Sequence, residues 1–183
     1  YRDLKPIAPG NTGYSLLRTG ALGDFYSDIL DICTAIDIPL EGVHEEMGPG
    51  VIEAAITVTD GLAAADRAAL FKTIIKILAQ RRGLIATFMA KWSSQQAGQS
   101  GHIHLSLTRK ADGIAAFHNP NTENSINDTM RYFIGGQQNL MPEMTVLAAP
   151  TVNSYSRLVP DQWAHTEANW GMDNRTCALR VIS

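Results

Sequence analysis

Apolar residues return along this chain with two periods, and the switches between them mark out helices, strands and loops. From Asp24 the positions Phe25, Ile29, Ile32, Cys33 and Ile36 follow helical spacing, which lines one face of an α-helix. A helix over Asp24 to Ile36 is expected, with Asp24 as its N-cap and Pro39 as its stop. Ile38 to Val43 reads as a short strand that delivers the polar cluster Glu41, His44, Glu45 and Glu46. The Gly48-Pro49-Gly50 turn leads into a strand over Val51 to Val58. Asp66 to Leu78 is a second helix, with Leu70, Ile74, Ile77 and Leu78 on its buried face and Arg67, Lys72 and Lys76 mostly off it. A strand over Ile85 to Met89 follows. Arg109 to Asn124 reads as loop with a short hairpin around Asp112-Gly113 and an exposed His118. Asn127 to Leu140 is a third helix, and the apolar Met141 to Ala149 is expected to be buried. Lys5 to Gly13 is Pro- and Gly-rich loop, ended by Gly13-Tyr14, and Ala178 to Ile182 is an apolar, strand-like run.

The stretch with the most unusual polar content is Gly98 to Leu107, GQSGHIHLSL, a Gly/Ser turn feeding a strand. Alternation sends every second side chain to the same side. His102, His104 and Ser106 therefore share one face, while Ile103, Leu105 and Leu107 share the other. Two imidazoles and a hydroxyl in register point to a metal or phosphate site; a pair of satisfied core histidines is the alternative.

Carboxylates raise the same question. Glu53 sits in the middle of an Ala/Ile/Val run, where an unpaired carboxylate facing a core is costly. Either that face is wet, or Glu53 converges with Glu46 across the turn. Two carboxylates on a tight loop and strand make an oxygen-rich site suited to Mg²⁺ or Mn²⁺. The segment Asn153 to Arg180 adds Arg157, Arg175 and Arg180. Arginine holds carboxylate or phosphate through a rigid fork, so these three either clamp a phosphorylated species or make surface salt bridges.

The element order suits an α+β fold: a curved, mainly antiparallel sheet backed by helices, with the carboxylates, His102 and the arginines on its concave face. With 183 residues, 45% of them hydrophobic, the chain can bury one sizeable core, as one domain or a piece of one. A net charge of -3, with no basic stripe, argues against nucleic acid and membrane surfaces as partners. Cys33 and Cys177 lie far apart in apolar surroundings, which suits reduced thiols in a reducing compartment. A cytoplasmic location is expected, since neither a signal peptide nor a bilayer-spanning run is evident. The chain begins at Tyr1 without a methionine and ends inside the apolar run, so both ends look cut.

Four segments, in order, resemble the glutamine synthetase catalytic domain: His44-Glu45-Glu46 through Glu53; Gly98 through Ser106; Asn153 through Pro160, NSYSRLVP; and Asn174-Arg175-Thr176 through Arg180. The resemblance implies that residues 1–183 are part of one such catalytic domain, incomplete at both ends and without the family's N-terminal β-grasp domain. It implies Glu46 and Glu53 as ligands of one Mg²⁺ or Mn²⁺ ion and His102 as a ligand of a second. Glu41, His104 and Ser106 resemble nucleotide contacts for ATP, and Arg180 a contact to its phosphates. Gly98 matches the glycine whose backbone lies against glutamate. Arg157 and Arg175 resemble residues that bind the acid's carboxylate or the transferred phosphoryl group.

The implied reaction phosphorylates the side-chain carboxylate of glutamate with ATP, after which an amine displaces phosphate. Two positions depart from the family pattern. Trp163 stands where ammonia-using members carry a glutamate that helps bind ammonium and take its proton. An indole there suits an organic amine, so the resemblance is closer to the γ-glutamyl-amine ligases than to glutamine synthetase proper. Ala97 replaces the asparagine before the glutamate-contacting glycine, which leaves open a related acid as substrate. Family members assemble as rings, so a homo-oligomer is expected of the full-length protein, and this segment alone is expected to be inactive. A relative that kept the fold but lost catalysis is the second reading. A metal-dependent hydrolase barrel using His102 and His104 is the third, and it lacks the long β/α repeat that it needs.

Overall fold

A computed structural model describes residues 4–160 and 163–182, in two units that meet between Gln99 and Ser100. In the first unit a short helix, α1 (Leu16–Ala21), precedes α2 (Gly23–Ala35). The periodicity of α2 buries Tyr26, Ile29 and Cys33 along one face. Its N-cap is Leu22, which makes no side-chain capping bond. Asp24 instead lies in the first turn, where its charge meets the positive end of the helix dipole. Asp37 adopts a left-handed φ of 57°. Ile38 N–H then donates to Cys33 O at 2.8 Å and Asp37 N–H to Thr34 O at 3.3 Å, the hydrogen-bond pair of a Schellman cap. That cap drops Ile38 into the core rather than into a strand.

Strands β1 (Leu40–Glu45) and β2 (Ile52–Ile56) form an antiparallel hairpin in which His44 pairs with Glu53 and Glu45 with Ile52. The register breaks between Leu40 and Gly42, so Glu41 sits at a bulge. Helix α3 (Gly61–Arg81) begins a turn earlier than its sequence pattern suggests. It buries Ile75 and Ala79, while Leu70 and Ile77 are exposed. Apolar residues run nearly all round this helix, and Phe71, Ile75 and Leu78 are the ones that reach the core of Ile29, Cys33 and Ile38. Gly83, at a φ of 71°, ends α3: Leu84 N–H donates to Ala79 O at 2.8 Å and Gly83 N–H to Gln80 O at 3.1 Å. Residues 85–89 are not a strand. They lie against α3, with Phe88 edge-on to Phe71 and Ala86 against the core.

In the second unit the hairpin around Asp112-Gly113 forms: Arg109 N–H donates to Ile114 O at 2.9 Å and Ala116 N–H to Leu107 O at 2.7 Å. Helix α4 (Asp128–Ala148) is N-capped by the Asn127 side chain and runs on well past Leu140. Met144, Val146 and Leu147 are exposed on it, against the expected burial of this stretch, while Ala149 is buried. A short α5 (Val152–Tyr155) follows, then β3 (Trp170–Met172) and β4 (Leu179–Val181), which pair in parallel. Ile126, Ile134 and Val181 form the buried cluster here.

The fold class is α+β. Among the described residues its sheet content is one antiparallel and one parallel two-stranded ribbon rather than a single curved sheet. Residues 102–107 form no ladder, and Ile103, Leu105 and Leu107 are 86%, 57% and 43% exposed. The expected apolar face has no neighbouring strand to cover it within this unit. Among the described residues, no helix is long and apolar enough to cross a membrane.

Candidate metal and substrate site

Alternation along β1 and the residue after it puts His44 and Glu46 on one face, and the hairpin register brings Glu53 beside His44. Ligand atoms of His44, Glu46 and Glu53 lie within 4.8 Å of one another. His44 Nε2 is 3.1 Å from Glu46 Oε1 and 3.9 Å from Glu53 Oε2. Two carboxylates and one imidazole, partly open to solvent, are a donor set whose carboxylates fit Mg²⁺ or Mn²⁺. Glu46 and Glu53 thus meet as the sequence suggested. His44 is the member that sequence reasoning left without a role, although its two-residue spacing from Glu46 on a strand was the signal for it.

Tyr14 was missed as well. Its hydroxyl donates to Glu46 Oε1, its ring stacks on His44 with centroids 5.2 Å apart, and its N–H donates to Glu45 O at 2.9 Å. Burial pushes the Glu46 carboxyl up. The Tyr14 hydroxyl, the Met47 N–H at 3.0 Å and His44 outweigh that and hold it below the ordinary carboxylate value. The site therefore presents an ionised carboxylate, the form that a cation needs.

The Gly48–Gly50 turn of this hairpin is closely packed: a Cβ on Gly48 would meet Val51 Cγ2 at 2.8 Å and Ala97 Cβ at 3.7 Å. Ala97 therefore sets the Gly98 segment beside the carboxylate hairpin. Gln99 fixes that segment, its N–H donating to Ala90 O at 2.9 Å and its carboxamide to Thr87 O and Met89 O at 3.1 and 3.0 Å. Glu41 is exposed at the bulge.

The remaining candidates belong to the second unit. The His102 and His104 rings have centroids 6.3 Å apart, both residues and Ser106 are exposed, and within this unit no group of three convergent His, Cys, Asp or Glu ligands includes His102 among the described residues. Arg157 donates to Trp163 O at 3.2 Å. Trp163 itself is 72% exposed, at a left-handed φ of 56°. Desolvation, and after it the Arg157 charge, hold the nearby His165 imidazole below its ordinary value. Arg175 is exposed on the turn that Asn174 closes by accepting from Thr176 N–H at 2.9 Å. Arg180 lies on β4 opposite Gly171 of β3.

The model of the glutamine synthetase catalytic domain matches residues 5–183. The chain belongs to the glutamine synthetase family. It is 43% identical to type-1 glutamine synthetase 2 of Dictyostelium discoideum over its whole length, and covers 35% of that protein. It is 36% identical to the glutamate–isopropylamine ligase of a Pseudomonas species, of which it covers 40%. Among solved structures, the GmaS–ADP complex superposes with a TM-score of 0.86 at 30% identity, over 96% of this chain and 42% of that one. The glutamine synthetase of Plasmodium falciparum, at a TM-score of 0.80 and 23% identity, shares the fold. The chain thus spans about two fifths of these relatives, which include both glutamine synthetases and glutamate–amine ligases.

Proposed function

We propose that the protein containing this chain is an ATP-dependent carbon–nitrogen ligase. It joins the γ-carboxylate of glutamate, or of a related acid, to an organic amine in preference to ammonia. The observation that supports this reading best is the convergence of His44, Glu46 and Glu53 on one hairpin beside the Gly98 segment. That is the donor chemistry that phosphoryl transfer to a carboxylate requires. His44, Glu46 and Glu53 would hold a Mg²⁺ or Mn²⁺ ion there, which would supply charge neutralisation at the transferring phosphoryl group.

The chain's own residues have distinct parts in this reading. The Gly98 backbone and the Arg157 and Arg175 guanidinium groups hold the acid, with its γ-carboxylate directed at the terminal phosphate of ATP. Glu41, His104, Ser106 and Arg180 hold the nucleotide, and His102 is the ligand for a second ion. A γ-carboxylate oxygen forms the new bond to phosphorus as the bond to ADP breaks. The amine nitrogen then bonds to the carbonyl carbon of the acyl phosphate, phosphate leaves with that oxygen, and the amine gives up a proton. Arg157 and Arg175 offset the negative charge that develops in the first step. Trp163 offers an apolar wall to the substituent of the amine. The enzyme works as a cytoplasmic homo-oligomer on small molecules.

The direct test is phosphate release by the intact protein with ATP, Mg²⁺ and glutamate, comparing ammonia with a panel of alkyl and aryl amines. Release with amines and little with ammonia is expected. Release with ammonia alone would overturn the amine preference. No release with any acceptor, with metal binding retained, would favour a non-catalytic member of the family, the reading that Trp163 and Ala97 otherwise favour.

A further inference from the structure

On the face of β1 turned away from Glu46, the Glu45 side chain is only 3% exposed. One of its oxygens lies 3.4 Å from Arg18 Nη1, and the other has no hydrogen-bond partner. Arg18 belongs to α1, which Ser15 caps by accepting from Arg18 N–H at 3.5 Å. The ion pair thus ties α1 to β1 beneath the carboxylate site. Tyr26 of α2 is buried beside this pair, and its hydroxyl is held above the ordinary tyrosine value by burial and by Glu45, which together outweigh the opposing hydrogen bond to Thr19.

The tie matters because of what stands at the start of α1. Tyr14 holds a left-handed φ of 59°, unfavourable for a bulky residue, and something must keep it there. Its N–H is fixed to Glu45 O, and the chain after it is fixed through Arg18 to the Glu45 side chain. Glu45 is therefore gripped at both its backbone and its side chain by the segment 14–18. The Tyr14 ring and hydroxyl then fall on His44 and Glu46, on the opposite face of the strand.

We propose that Arg18 and Glu45 are positioning residues that act through Tyr14 to orient the Glu46 carboxylate and the His44 ring for a divalent cation. The proposal rests on the reading of Glu46 as a metal-binding carboxylate. Neither residue touches the cation or a substrate. The pair reaches the site only by fixing where α1 begins. Its burial makes the coupling stiff: Glu45 without Arg18 is an uncompensated charge in a dry environment, so the α1–β1 contact must rearrange when the arginine is lost.

The test is a double-mutant cycle on the intact protein, read as Mn²⁺ affinity by electron paramagnetic resonance titration, with thermal unfolding followed in parallel. Arg18→Met and Tyr14→Phe are each expected to weaken Mn²⁺ binding about tenfold, the scale of losing an outer-shell partner of a metal ligand. The double variant is expected to be no weaker than either single one, because both act on one path. Arg18→Lys, which keeps the ion pair, is expected to restore binding to within about threefold of the parent. Should Arg18→Met prove too unstable to titrate, Glu45→Gln takes its place in the cycle with the same expectation. Independent effects that multiply in the double variant, or an Arg18→Met protein that binds Mn²⁺ as the parent does, would overturn the proposal. Parent binding that Glu46→Gln leaves unchanged would instead overturn the reading of Glu46, and the positioning role with it.

Discussion

Replacing Tyr14 by Phe removes one hydroxyl and leaves the ring that stacks on His44. Glu46 then keeps the Met47 N–H at 3.0 Å and His44 at 3.1 Å but loses its third donor. A hydrogen bond to a charged group is worth about 1.5–3 kcal/mol. Tyr14 is 63% exposed, so water replaces part of the loss and about 1 kcal/mol is the better figure. Hydrogen–deuterium exchange over the hairpin 40–56 of the intact, metal-free protein measures it, and about fivefold faster exchange is expected at pH 7. The pH dependence has a definite sign. The folded-state pKa of Glu46 is depressed, so its contribution is fully present above the ordinary carboxylate value and is lost as pH falls through the folded one. Once exchange is corrected for intrinsic rate, the difference between variant and parent must start to shrink as the pH falls below 4.5, the ordinary carboxylate value, and vanish only below the depressed folded-state value. Equal protection at pH 7, or a difference that grows as the pH falls below 4.5, would refute the claim that Tyr14 holds an ionised Glu46.

Four further outcomes are expected. Ile38→Ala, at a site with 0% exposure in the core between α2 and α3, is expected to cost about 2–5 kcal/mol in the thermal unfolding of the intact protein. Leu17→Ala, at 85% exposure, should stay within about 0.5 kcal/mol. Gly83→Ala meets no atom within 4 Å, so its cost is backbone strain alone, about 1 kcal/mol, read by local exchange at the end of α3. Trp163→Glu is expected to shift the ratio of kcat/KM for ammonia over alkylamine by at least about tenfold towards ammonia, measured by phosphate release.

The parts of the fold legible in the sequence were those with a local cause. Helix α2, the Gly48-Pro49-Gly50 turn, the Asp112-Gly113 hairpin and the Asn127 start of α4 each follow from periodicity or turn chemistry within a few residues. Features that depend on distant contacts were not. The buried face of α3 was misread because Leu70 and Ile77 are as apolar as Phe71 and Ile75, and only packing against α2 chooses between them. Residues 85–89 and 102–107 have strand composition, yet a strand is defined by its neighbour, and none pairs with them among the described residues. Glu46 and Glu53 were readable as a pair because a tight turn separates them. His44 was hidden within the cluster that named Glu46, and Tyr14 lies a whole helix away in sequence. Its role exists only because Glu45 O receives its N–H.

Activation of the carboxylate as an acyl phosphate can be followed with an oxygen isotope. Glutamate labelled with ¹⁸O in its γ-carboxylate is supplied to the intact protein with ATP, Mg²⁺ and the best amine, and the released phosphate is analysed by mass spectrometry. One labelled oxygen is expected in each phosphate released, in step with the γ-glutamyl amide formed. Amide formation with unlabelled phosphate would contradict activation as an acyl phosphate.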